Sequence, residues 1–384
     1  MTASDMTTGD TTFGPEWAVL EGLARGLETP DERTAFAALV YGGLDWGEVI
    51  EQALRHRMLP MVAHAIGDLE LHDAIPLRVS EHLRSVLALN LYRRDVWYTE
   101  AGRVVAALED SGIPVAARKG AAYESDLYGG NGSRWLGDLD LLIRPEDRDA
   151  ASALMPKLGY RVGLYDFNRR VIVKFERTEL MKYRLNPDHL PTQSLVTSDP
   201  LVPVLEVDFA NSLTWARAEY QVPVTPIFES LERYEVTGVP GLSLPRPAPA
   251  FRFLDTVLHL FREAWFEWWL GKEQDVDLMK FGDVIRLWRA HHAVLTDGRF
   301  SKEIKDYGIG RPVGWVLTHL DRTFGLTTLD ALDLGGEIDE DYLASAGGSL
   351  GRPRAWQGTM RDRLLTKDRR AVFATEPTVS EADG

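Results

Sequence analysis

The stretch Gly137-Asp138-Leu139-Asp140-Leu141-Leu142-Ile143 constrains the fold more than any other. An apolar run this short, entered through a glycine, reads as a β-strand. The two-residue period of a strand sends Asp138 and Asp140 to one face of the sheet, at the strand's mouth. Two carboxylates held that close repel each other unless a cation lies between them. Hard oxygen ligands of this kind suit Mg²⁺ or Mn²⁺, and Mg²⁺ usually takes one or two carboxylates together with substrate phosphates. The plainer reading is a solvated strand entrance, and an Asp-x-Asp pair alone does not separate the two.

Its neighbours do. Lys119-Gly120 closes a preceding apolar segment, 113–117, and opens a helix, where free backbone N–H groups favour phosphate. Arg134 lies four residues before Asp138, close enough to neutralise a triphosphate oxygen. Glu206 falls in a further strand-like segment, 202–209, two residues from another acid, Asp208. Three carboxylates from two strands can hold two metal ions, one on the attacking oxygen and one on the phosphates.

The rest of the chain frames this site. Residues 1–14 read as a disordered leader and 15–98 as a helical region; 99–240 form the core that carries the acids. Residues 249–330 are helical again, and 335–384 read as a loosely packed, partly disordered tail. Residues 145–159 run from a proline and acids to a closing glycine, the polarity of a capped helix. The polar stretch 181–199 reads as a long loop. Strands interleaved with helices predict an α+β core, a mixed sheet with helices on one face, flanked by helical regions. With 384 residues and no cysteine, the chain needs no disulfides and excludes thiolate catalysis and thiolate metal sites. A formal net charge of −15 argues against long nucleic acid as substrate. Neither a signal peptide nor a membrane span is legible, so the cytoplasm is expected.

Lys-Gly, then Leu-Tyr, a lone Arg, Asp-Leu-Asp-Leu-Leu-Ile, a helix and Leu-Gly-Tyr together resemble a nucleotidyltransferase family of the polymerase-β superfamily, over roughly residues 83–324. Many of its members are encoded beside bacterial peptide natural-product genes. The resemblance implies a polymerase-β-like core and a Mg²⁺-dependent transfer of NMP from an NTP, ATP foremost, to a small-molecule or peptide acceptor. It makes Asp138, Asp140 and Glu206 the metal ligands, Gly120 the phosphate-loop glycine, and Lys119 and Arg134 its basic positions. The family's acid-Leu-His-Trp motif here reads Glu206-Val207-Asp208-Phe209, and Ala121-Ala122 stand where the superfamily prefers serine. Asp208 is then the candidate general base. The rival readings are phosphoryl transfer on the same scaffold and a non-catalytic, antitoxin-like binding module.

Other signals point elsewhere or nowhere. Gly347-Gly348-Ser349-Leu350-Gly351 matches the nucleophile-elbow letters but lacks the strand and helix that motif needs. His291-His292 sits at a helix end and reads as capping or surface. His259, on an apolar helix, is either a packed core residue or a contact to base or nucleotide. Trp265, Trp268 and Trp269, spaced i, i+3, i+4, read as core or else as a base-stacking or substrate wall.

Overall fold

A computed structural model describes residues 14–185, 188–215, 218, 220–270, 272, 274–347 and 353–369. The leader up to residue 13, most of the 347–351 motif and the segment 370–384 lie outside the described residues. Four short helices open the chain, Pro15–Arg25, Pro30–Tyr41, Trp46–Arg55 and Leu59–Asp68. Their starts follow from local chemistry. Thr29 and Glu32 form a reciprocal capping box, and the Asp45 carboxylate accepts from the N–H groups of Gly47 and Glu48. The helix Leu77–Asp110 runs unbroken for 34 residues and stops only at Ser111-Gly112.

The centre is a five-stranded mixed sheet, which makes the fold α+β. Along the chain come β1 (Val115–Ala117), β2 (Leu139–Ile143), β3 (Arg161–Val162), a separate hairpin of β4 (Leu164–Asp166) and β5 (Val171–Val173), β6 (Gln193–Val196) and β7 (Val204–Ala210). The sheet order is β1-β2-β7-β6-β3; β2 and β7 run parallel, and every other pair is antiparallel. A further hairpin, β8 (Glu232–Glu235) and β9 (Ser243–Arg246), precedes the helices Pro249–Trp265, Leu278–Ala290 and Gly310–Phe324.

Two cores flank the sheet. Leu139, Leu141, Val207 and Phe209 point into one, which they share with Tyr98, Val104 and Leu108 of the long helix. Ala116, Leu142 and Ala210 point the other way, into a larger core built jointly by the opening helices and the C-terminal ones. Helices therefore cover part of both faces, and what remains of the second face is the floor of a cavity.

Three segments differ from expectation. The stretch 181–199 is not a loop: the helix Arg177–Leu185 fills its start, and β6 pairs with β7 further on. β6 (Gln-Ser-Leu-Val) is short and half polar, so nothing in its composition announces a strand; its ladder and the buried Ser194 hydroxyl, which donates to Gly163 at 2.7 Å, hold it. Residues 145–159 break into a short helix, Arg148–Leu154, between two 3₁₀ turns, and Pro156, which has no N–H to donate, ends the α-helical ladder. The tail packs through residue 369: Trp356, Met360 and Leu364 are buried, and Arg363 reaches Asp275 in the interior. Those anchors are few and set among glycines, which hides them from a periodicity reading. Among the described residues no helix is long and apolar enough to cross a membrane.

Candidate active site

β1 ends where the site begins. The Arg118 N–H donates to the Asp140 carbonyl at 3.0 Å, prolonging the β1–β2 ladder by one bond. Its guanidinium forms a fork with Asp255 of the helix Pro249–Trp265, both side chains buried. Lys119 follows with φ +40°, a left-handed conformation that is strained for a side chain of this size. That backbone turn opens the helix Lys119–Asp126, and the Lys119 Nζ lies 3.2 Å from Asp140 Oδ1.

Gly120 is required for space rather than for conformation. A Cβ there would lie 2.9 Å from Arg134 Nη1 and 3.1 Å from Leu136 Cδ2. The guanidinium has little freedom to give way, because Nε and Nη2 of Arg134 grip the Asp283 carboxylate at 3.0 and 2.7 Å. Gly120→Ala is accordingly expected to lower stability by about 1–3 kcal/mol, the range for overpacking, and to weaken nucleoside triphosphate binding. Thermal unfolding and calorimetric titration read the two effects, and an unchanged variant would remove the steric argument.

The acids meet across two neighbouring strands. The parallel register sets Asp140 beside Asp208, while Leu139 and Leu141 of β2 and Val207 and Phe209 of β7 turn to the core behind them. Asp138 stands one residue before β2, and Glu206 lies two residues before Asp208, its carboxylate 3.4 Å from the Ser194 hydroxyl oxygen. All four acids line one cavity of about 1010 Å³, together with Lys119, Gly120 and Arg134. The seven residues singled out from the sequence therefore share a single cleft.

Electrostatics sorts the acids. Asp138 opens to cavity water yet is crowded by protein; burial and the Asp140 and Asp208 charges push its carboxyl up to about 7. Contact with water damps that shift. Asp140 resists burial through Lys119, Arg118 and His259, which hold it down to about 2. Asp208 is raised by burial and by Asp140, and Glu206 by burial and by Asp208. Among the described residues no three His, Asp or Glu side chains converge into a ready metal cluster. The donor set still fits a hard divalent ion that takes part of its coordination from substrate phosphates, because a cation would relieve the repulsion that raises Asp138 and Asp208.

Residues 42–325, most of the chain, match the family described as uncharacterised nucleotidyltransferase. The chain belongs to that family. No curated protein matches it. A nucleotidyltransferase takes a nucleoside triphosphate as substrate, and the cavity supplies both cations and acids for one.

Much of this nucleotidyltransferase's cavity comes from residues the motif does not contain. Arg134 pairs with neither Asp126 nor Asp138 but with Asp283, which also accepts from the Tyr128 hydroxyl at 2.7 Å. His259 faces the cavity: its Nε2 lies 3.3 Å from Glu263, which in turn holds Lys280. Burial, despite Glu263, lowers His259 to about 4, so the ring is neutral at pH 7. Arg57, with φ +57°, enters from the opening helices, and the Asp188–His189 pair, 2.9 Å apart, lies beside the end of β7. Trp265 stacks on Phe261 and meets Trp315 edge-on against the core, whereas Trp269 lines the cavity with Trp215 and Phe266. The Trp268 side chain lies outside the described residues. The i, i+4 pair His259/Glu263 was a readable signal; the pairing of Arg134 with a residue 149 positions away was not.

Proposed function

We propose that this nucleotidyltransferase transfers NMP from an NTP to an acceptor through a polymerase-β-like, Mg²⁺-assisted site. The observation that carries the reading is the side-by-side register of Asp140 and Asp208 in a cavity that also receives Lys119, Gly120 and Arg134. Asp138, Asp140 and Asp208 would hold the metal, which when bound supplies Lewis-acid stabilisation of the phosphates. Asp208 takes this role ahead of Glu206, because it is Asp208 whose charge reaches both Asp138 and Asp140. The roles of these two acids are thus exchanged relative to the sequence expectation. Glu206, raised by burial and by the Asp208 charge, is then the candidate proton acceptor.

Lys119 and Arg134 bind the triphosphate beside Gly120, with the N–H groups of the following helix as further donors. Glu206 takes the proton from the acceptor as its oxygen attacks the α-phosphorus. The bond from that phosphorus to the bridging oxygen breaks, and pyrophosphate leaves. The deciding experiment follows phosphorus-31 NMR of ATP, Mg²⁺ and candidate acceptors with the protein. Pyrophosphate with an NMP-bearing acceptor is expected. ADP would instead mean phosphoryl transfer, and no Mg²⁺-dependent binding of NTP would leave a non-catalytic module.

A further inference from the structure

The chain is acidic, but residues 161–185 carry seven lysines and arginines against three acids. All seven are exposed, and among the described residues Arg161, Arg169, Arg170, Lys174, Arg177 and Arg184 form no ion pair. The same segment is unusually apolar at its surface. The β4–β5 register puts Leu164 opposite Val173 and Asp166 opposite Val171, so Leu164, Val171 and Val173 share one face of the ribbon. These three are 43–51% exposed, Phe167 at the turn is 69% exposed, and Leu185 of the adjoining helix is 63% exposed. Single exposed aliphatics need no explanation, but three on one face of a ribbon do.

Two features say what covers it. Beside the ribbon, a groove of about 350 Å³ lies between β3, the two residues that follow β5 and the helix Arg177–Leu185, with Val162, Phe175 and Leu180 as apolar lining and Arg161 and Lys174 as its cations. That combination suits an apolar side chain flanked by carboxylates. The surface is also continuous with the main cavity, whose lining includes Leu164, Phe175, Lys182 and Tyr183, at the Glu206 and Asp208 end of the acid row. We propose that the ribbon and helix dock an acidic peptide segment rich in apolar side chains, and feed it to the cavity as the acceptor. Only the word acceptor rests on the transferase reading.

Other occupants fit less well. A second copy docked isologously would set this basic face against itself. A long polyanion or an anionic membrane would also lie along the acidic remainder of a chain with net charge −15, whereas a short peptide meets only the basic patch.

The test uses the full chain without metal or nucleotide, so that it stands apart from turnover. Fluorescein-labelled dodecapeptides alternating Asp or Glu with Leu, Ile or Phe are titrated by fluorescence anisotropy, beside a matched mixture carrying Lys. The acidic mixture is expected to bind and the Lys mixture not. Arg161→Glu/Lys174→Glu, both at exposed positions, should weaken binding at least ~10-fold. Raising salt from about 0.05 to about 0.5 M should weaken it as well. Equal affinity for the two mixtures, or indifference to the charge reversal, would overturn the proposal. So would binding to phosphatidylserine vesicles in place of peptide, or self-association that the same double variant abolishes. Peptide binding by a protein that forms no pyrophosphate would strike the transferase reading and leave the docking surface standing.

Discussion

Arg134→Ala is expected to destabilise the protein by about 3–5 kcal/mol, the range for removing one partner of a buried ion pair. From the sequence alone Arg134 reads as a phosphate ligand, and a solvent-exposed arginine bridge would contribute only ~0–1 kcal/mol. In the fold it is buried against Asp283, whose carboxylate holds the guanidinium charge in place against the cost of burial. Alanine would leave the Asp283 carboxylate in the interior with the Tyr128 hydroxyl as its remaining donor. Urea unfolding measures the loss. The double variant Arg134→Met/Asp283→Leu should recover most of the stability, because it removes both charges together, but should not recover NTP binding. Three of the five guanidinium N–H groups serve Asp283 and the Trp135 carbonyl, leaving two for a phosphate. A single variant that unfolds like the wild type would show that the pair does not hold the site together.

Asp140→Asn should abolish transfer while the protein still folds. Loss of several kcal/mol of metal-derived stabilisation corresponds to about 10³-fold in rate at ~4 kcal/mol. Stability should fall too, by on the order of 2 kcal/mol at pH 7, because Lys119 and Arg118 hold Asp140 down to about 2. The sign follows from linkage. A depressed carboxylate contributes stability above its unfolded value near ~4, and that contribution disappears as pH falls through about 2. The gap between wild type and Asp140→Asn should therefore close in strong acid. Asp138→Asn should do the opposite: Asp138 is raised to about 7, so its charge opposes folding above that pH, and the amide should hold or raise stability there. Its advantage should fade as pH drops towards ~4, where the unfolded chain also takes up the proton. Unfolding of metal-free protein between pH 4 and 8 separates the two acids, and identical profiles would refute the assignment of opposite shifts.

The sequence made β2 and its two acids legible because a strand's period and a glycine entry are local signals. β7 was legible for the same reason, and with it the shared face of Glu206 and Asp208. Which of the two stands beside Asp140 was not, because register between strands 60-odd residues apart is a tertiary fact. β6 stayed hidden because Gln193 and Ser194 are polar yet buried, their burial depending on partners in β7 and at Gly163. Arg57 and Asp283 carry no motif; only the packing of distant helices brings them to the cleft. Lys119 could be named as a cation from its neighbours, but not as a strained left-handed residue aimed at Asp140.

The joint core of the opening and closing helices has a consequence for biosynthesis. Arg286 donates to the carbonyls of Leu23 and Ala24, Arg361 pairs with Glu21, and Arg55 donates to the carbonyls of Thr366 and Lys367. A ribosome delivers the Asp-x-Asp strand long before it delivers Asp283 or the helix Met360–Leu365. Until those residues emerge, Arg134 has no counter-charge and the early helices have no surface to cover, so contacts this remote in sequence form late. The growing chain is thus a dormant enzyme, and a message truncated before the helix Met360–Leu365 should yield a polypeptide with every motif residue and no assembled site.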